Sequence, residues 1–156
     1  MWHLCLSDIQ LQHSKEIVID IFPTIDIEFA IIPLRIITGV IMLDSGIGKW
    51  SRGISGTGRW FESLGFPAPQ LLARFVATVE AICGLLLIIG FFTQVSALLI
   101  MFNMFVATLV QKYKLHAPFQ GGDVQGYELD ILLMLSAFTL VMTGGGSFSI
   151  DAIITQ

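Results

Sequence analysis

LLARFVATVEAICGLLLIIGFFTQVSALLIMFNMFVATLV, residues 71–110, decides the fold of this chain. Its charged residues are Arg74 and Glu80, and Gly90 with Thr93 divides it into two apolar runs, Leu71–Phe92 and Val95–Val110. Each is near the length at which a helix rising about 1.5 Å per residue crosses about 30 Å of hydrocarbon. Similar runs flank this pair, Phe29–Gly48 before it and Leu129–Met142 after it. Gly, Pro and charged residues gather between the runs. The sequence therefore predicts an all-α integral membrane protein, a four-helix bundle with spans at about 29–48, 71–92, 95–110 and 127–143.

Composition agrees. The 156 residues are 54% hydrophobic and 13% charged, with mean hydropathy +0.81. A soluble domain holds about 25% charged residues, so half the charge needed for a solvated surface is missing. Four spans and short connections fill residues 27–151, leaving a polar or amphipathic leader over 1–26 and a tail over 152–156. The leader carries Asp8, Glu16, Asp20 and Asp26 instead of a basic start, so it does not read as a signal peptide. Ile17, Val18, Ile19, Ile21 and Phe22 suit the membrane interface. No basic cluster points to nucleic acid. Cys5 and Cys83 lie too far apart in the predicted topology to pair, and Cys83 reads as a small packing residue. His3, His13 and His116 lack ligand spacing, so no metal site is expected.

Between the runs, Ser51–Gly58 reads as a Gly/Ser-rich loop and Arg59–Phe66 as a short interfacial piece stopped by Pro67 and Pro69. Gly144-Gly145-Gly146 ends the last helix. Lys49, Arg52, Arg59, Arg74, Lys112 and Lys114 fall on one side of the membrane and Lys15 on the other. Basic loops stay in the cytoplasm, so both termini are expected outside.

A charge in hydrocarbon is costly and needs a partner, so the polar residues inside the runs frame the functional question. Helical spacing puts Arg35, Gly39, Met42, Gly46 and Lys49 on one stripe, and Ala73, Ala77, Glu80 and Gly84 on another. Asn103, Ala107 and Gln111 line the third helix; Glu128, Leu132, Ser136, Thr139 and Thr143 line the fourth. Depth along the helices allows Arg35–Glu80, Lys49–Glu128 and Asp44–Arg74 pairs. Two readings stay open. The pairs are structural and set helix register, or Arg35, Glu80, Asn103 and Glu128 line a polar cavity. Such a cavity would bind a quinone-like or small anionic ligand, or relay protons.

Several stretches resemble the DoxX family of small bacterial membrane proteins. Arg35-Ile36-Ile37-Thr38-Gly39 with Gly46 and Gly48-Lys49 is similar to its first-helix motif. Leu64-Gly65-Phe66-Pro67, Val79-Glu80-Ala81-Ile82-Cys83-Gly84 with Gly90 and Thr93, and Gly126-Tyr127-Glu128-Leu129 follow in the family's order. Gly144-Gly145-Gly146-Ser147-Phe148-Ser149-Ile150-Asp151 resembles its closing motif. Gln94 departs from the pattern, where many members carry a basic residue. The resemblance implies a four-helix bundle of the bacterial inner membrane, loosely tied to redox chemistry. It suggests an accessory subunit of a membrane oxidoreductase, linked to quinone, sulfur or oxidative-stress chemistry and working with redox partner proteins or as a homo-oligomer. No cofactor motif is evident, so a bound quinone or a partner would supply any electron carrier. A non-enzymatic scaffold for partner proteins is the alternative, and a small transporter a more remote one.

Overall fold

The computed structural model describes residues 27–121 and 126–154, and every regular element among them is helical. The expectations for the leader, including Cys5, His3, His13 and Lys15, lie outside the described residues. Helix α1 spans Ile27–Ser51, α2 Ile54–Ser63, α3 Pro69–Ile89, α4 Thr93–Leu109, α5 Glu128–Thr143 and α6 Ile150–Ile154. A π-helical turn, Val110–Lys114, prolongs α4. Two of these elements, Pro69–Ile89 and Thr93–Lys114, are long and apolar enough to cross a membrane. Helix α1 has 25 residues but carries Arg35, Asp44 and Lys49. Helix α5 has 16 residues, against the ~20 a straight crossing needs.

Helix α1 lies along α3, and α4 lies along α5; α3 also meets α4, and α1 meets α5. Small residues permit the first of these contacts. A Cβ on Gly39 would stand 2.8 Å from the Gly84 carbonyl oxygen, and one on Gly46 would stand 2.7 Å from the Ala77 oxygen. Ala73, Ala77 and Gly84 are buried on the facing stripe of α3. Close backbone approach over small side chains is the packing mode of helices that gain nothing from hiding apolar surface. The outside is correspondingly oily: Phe75, Ile82, Leu98, Phe102 and Leu132 are all exposed. A shell so apolar would drive aggregation in water and is matched to lipid.

The predicted stripes of α1 and α3 match the buried residues, and those on α4 are half-buried. The stripe predicted on α5 is wrong. Leu132, Thr139 and Thr143 are exposed, and Asp130, Leu133, Ala137 and Leu140 face inward. Hydroxyls explain the error. Ser136, Thr139 and Thr143 donate to the carbonyls of Leu132, Leu135 and Thr139 at 2.8–3.0 Å, satisfied within their own helix. Such residues can face lipid without an unpaired polar group.

The Ser51–Gly58 loop also needs correction, because α2 begins at Ile54. Its glycines do not prevent the helix, since α2 packs on α3 and Gly58 is buried against the Gln70 side chain. The α3–α4 hairpin follows the sequence reading. Gly90 ends α3 at φ 71°, and the N–H groups of Gly90 and Phe91 donate to the Leu86 carbonyl at 2.9 and 3.0 Å.

Candidate functional site

Two polar clusters occupy opposite ends of the α1–α3 pair. At the α3–α4 hairpin, Arg35 is 3% exposed and donates from Nη1 to the Gly145 carbonyl and from Nη2 to the Phe148 carbonyl at 3.0 Å. The closing segment is thereby tied to α1. Asp151 then accepts from the backbone N–H groups of Phe92 and Thr93, both at 2.8 Å. Those N–H groups open α4, which has no side-chain cap of its own, so a residue far along the chain supplies the missing acceptor. Burial raises the Asp151 carboxyl pKa, but the Thr93 and Phe92 donors and the Arg35 charge outweigh it and hold the carboxyl below the usual carboxylate range. The Asp151 N–H returns a bond to the Gly90 carbonyl at 3.0 Å. Glycine is required at 90 for its positive φ and because a Cβ would meet Arg35 Nη1 at 2.6 Å.

Lys49 forms the second cluster with Glu80, which is 2% exposed. Lys49 also donates to Ser45 Oγ at 2.8 Å, and the Asn103 amide donates to Glu80 Oε1 at 2.9 Å. Helix α1 thus contributes Lys49 and Ser45, and α3 and α4 one group each. Near them, the Gln111 amide on the π-helical turn donates to Asp130 Oδ2 at 2.9 Å. Asp130 is 9% exposed, the buried carboxylate of α5. A cavity of about 470 Å³ joins both groups. Glu80, Asn103, Lys49 and Asp130 are joined in its polar lining by Asp44, Ser45, Arg52 and Gln111, while Met42, Met104 and Leu133 are among its apolar lining. Trp60 and Phe61 of α2 and the following Phe66 lie across its end. Its size is that of an ordinary small-molecule site.

The structure divides the sequence-predicted site. Glu80 and Asn103 come together as expected, and Lys49 joins them. Arg35 does not pair with Glu80. It sits beside Gly90, ten residues and therefore about 15 Å further up α3. Register is the reason. The glycine contacts set Gly46 opposite Ala77 and Gly39 opposite Gly84, so Arg35 lies beyond Glu80 and Lys49 reaches it instead. Lys49 does not pair with Glu128 either. The Glu128 carboxylate accepts from the Gly121 N–H at 3.0 and 3.1 Å, closing the loop before α5. Asp44 and Arg74 are both exposed, and among the described residues no ion pair joins them. Asp130 is the residue sequence reasoning missed. Its signal was available: Asp130, Leu133, Ala137 and Leu140 recur at steps of three and four.

Residues 30–112, just over half of the chain, match the DoxX family. The chain is 32% identical over 127 residues to a Bacillus subtilis protein named "Putative oxidoreductase CatD", covering 81% of this chain and 88% of that one. It is 29% identical to an uncharacterized membrane protein of Mycobacterium tuberculosis, covering 78% of this chain and 79% of that one. It is 27% identical to the inner membrane protein YphA of Escherichia coli, covering 75% and 84%. No solved structure matches significantly. The chain belongs to the DoxX family.

Proposed function

We propose that α1, α3, α4 and α5 form a four-helix bundle in a bacterial inner membrane, and that its cavity binds the head of a quinone for a redox assembly. The observation carrying this reading is the bonded Lys49–Glu80–Asn103 cluster, which faces a cavity that also has apolar walls, among them Met42, Met104 and Leu133. A quinone head presents carbonyl acceptors and, reduced, hydroxyl donors. A lysine ammonium has three donors. Ser45 and Glu80 take two of them, which leaves one for a carbonyl. The Glu80 carboxylate can accept from a hydroxyl beside its Lys49 and Asn103 donors. In a cavity of low dielectric these interactions are stronger than in water. The Bacillus subtilis relative's name is that of an oxidoreductase, which supports a redox setting. Electron carriers beyond the quinone would belong to partner proteins.

Binding of a quinone analogue by the purified full-length chain tests the reading. Glu80→Gln and Asn103→Ala, each first shown to be folded, should bind at least about tenfold more weakly, the worth of one charge-assisted hydrogen bond. Arg35→Lys should bind as the unaltered chain does, because Arg35 serves the other cluster. Equal binding by all variants would remove the site. Absence of binding by any, with a stoichiometric protein partner retained through purification, would point to a scaffold.

A further inference from the structure

We infer that the cavity opens sideways into the hydrocarbon between α3 and α4, so that its ligand is a membrane-dissolved amphiphile. Its compact head would reach Lys49, Glu80 and Asn103, and its hydrocarbon tail would leave between the two helices. The inference rests on the head-binding reading above and specifies how that ligand arrives.

The cavity's own walls carry the argument. At its deep end stands Glu80, 2% exposed. The same cavity is lined by Val106, 37% exposed. Val106 follows Phe102 by four residues, placing it on the outward stripe of α4, and Phe102 is 65% exposed. A space that touches both a buried carboxylate and an outward-facing valine is open to what surrounds α4. Its margins there are aliphatic. Leu72 and Val76 stand one turn apart on α3, with Val106 on α4 and Val110 one turn on, at the start of its π-helical extension. Such margins give water nothing to hydrogen-bond and give methylene groups an apolar wall. On the α1 side the exposed Asp44 and Arg52 line the cavity, a polar margin, and Trp60, Phe61 and Phe66 add aromatic walls, the Phe66 ring lying 5.6 Å from that of Phe61 and 4.6 Å from the Lys114 ammonium. A hydrocarbon tail would meet charged side chains on that side, whereas between α3 and α4 it meets aliphatic ones.

Two probes and three variants test this in the full-length chain. One probe is a quinone bearing a long isoprenoid tail, and the other is the same head with no tail. Val106→Trp and Leu72→Trp narrow the opening from different helices. Phe102→Trp changes the outward stripe without touching the cavity. The two narrowing variants should lose about tenfold or more in affinity for the long-tailed probe, equivalent to roughly two unburied methylene groups. They should lose less than about twofold for the tailless one, and Phe102→Trp should alter neither. If one variant fails to fold, the other decides. Equal effects on both probes, or none on either, overturn the lateral opening and leave the head site standing. Failure of the unaltered chain to bind either probe overturns the head site, and the opening with it.

Discussion

Glu80 is the residue whose surroundings say most. Its two carboxylate oxygens are taken by side chains from two other helices, Lys49 from α1 and Asn103 from α4. Truncating one member of a buried pair strands the other, at a cost of roughly 3–5 kcal/mol in fully buried pairs. The Lys49 side chain is 24% exposed and can relax outward, so the low end of that range applies. Glu80→Gln should therefore lower the melting temperature in detergent. Lys49→Met should do the same, and the double variant should be more stable than the sum of the two losses predicts. Strict additivity in that cycle would show the pair to be uncoupled.

Asp151 makes a pH-dependent prediction with a definite sign. Its folded pKa lies below its unfolded value. Its contribution to stability is therefore present above the unfolded value, near ~3.9 for an aspartate, and is lost as pH falls through the folded value. Acidification below about pH 4 should depress the melting temperature of the unaltered chain. In Asp151→Asn the melting temperature at neutral pH should be lower and the acid-side slope shallower. An unchanged slope would mean that the carboxylate contributes nothing through its bonds to Phe92 and Thr93.

At the scale of elements, the α1–α3 contact decides where every polar residue on those helices falls. Gly46 is the sensitive point. A Cβ there would stand 2.7 Å from the Ala77 oxygen, which is backbone and cannot turn aside. Gly46→Val should push the helices apart and lower the melting temperature more than Gly56→Val, since Gly56 has open space around it. Equal losses would show that α1 and α3 do not need this approach. The stripes were legible because period 3.6 is a local property of the chain. Register was not legible, because it depends on which small residues oppose each other across two helices. Counting depth from the helix ends treated those ends as flush. The connection through α2 does not make them so, and Arg35 consequently meets the closing segment rather than Glu80.

At the scale of the whole molecule, the basic residues among those described, Arg35 excepted, collect at one end. The Lys114 ammonium donates to the Leu64 carbonyl, tying the end of the α4 extension to the end of α2. Lys49 and Arg52 at the end of α1, Arg59 on α2 and Arg74 near the start of α3 belong to that same end. The rule that basic loops stay in the cytoplasm expects that end inside, so a reporter fused after Gln156 should be active only if it functions outside the membrane. Activity of a cytoplasm-only reporter there would reverse the orientation and leave the helix packing unchanged.

Residue order alone determined the helical class, the apolar runs, the inward stripes of α1 and α3 and the Gly90–Thr93 hairpin. Each depends on neighbours within a few positions, through helix periodicity or a turn's demand for positive φ. Family membership was also legible, because the motifs recur in order along the chain. Tertiary structure alone decided the rest. It gave Lys49 rather than Arg35 to Glu80, turned Asp130 inward while Thr139 and Thr143 faced outward, and used Asp151 to cap a helix that begins 58 residues earlier. Each of these is a choice among partners of similar chemistry. That choice is made by which backbones can approach closely enough, and it is not written in any local stretch.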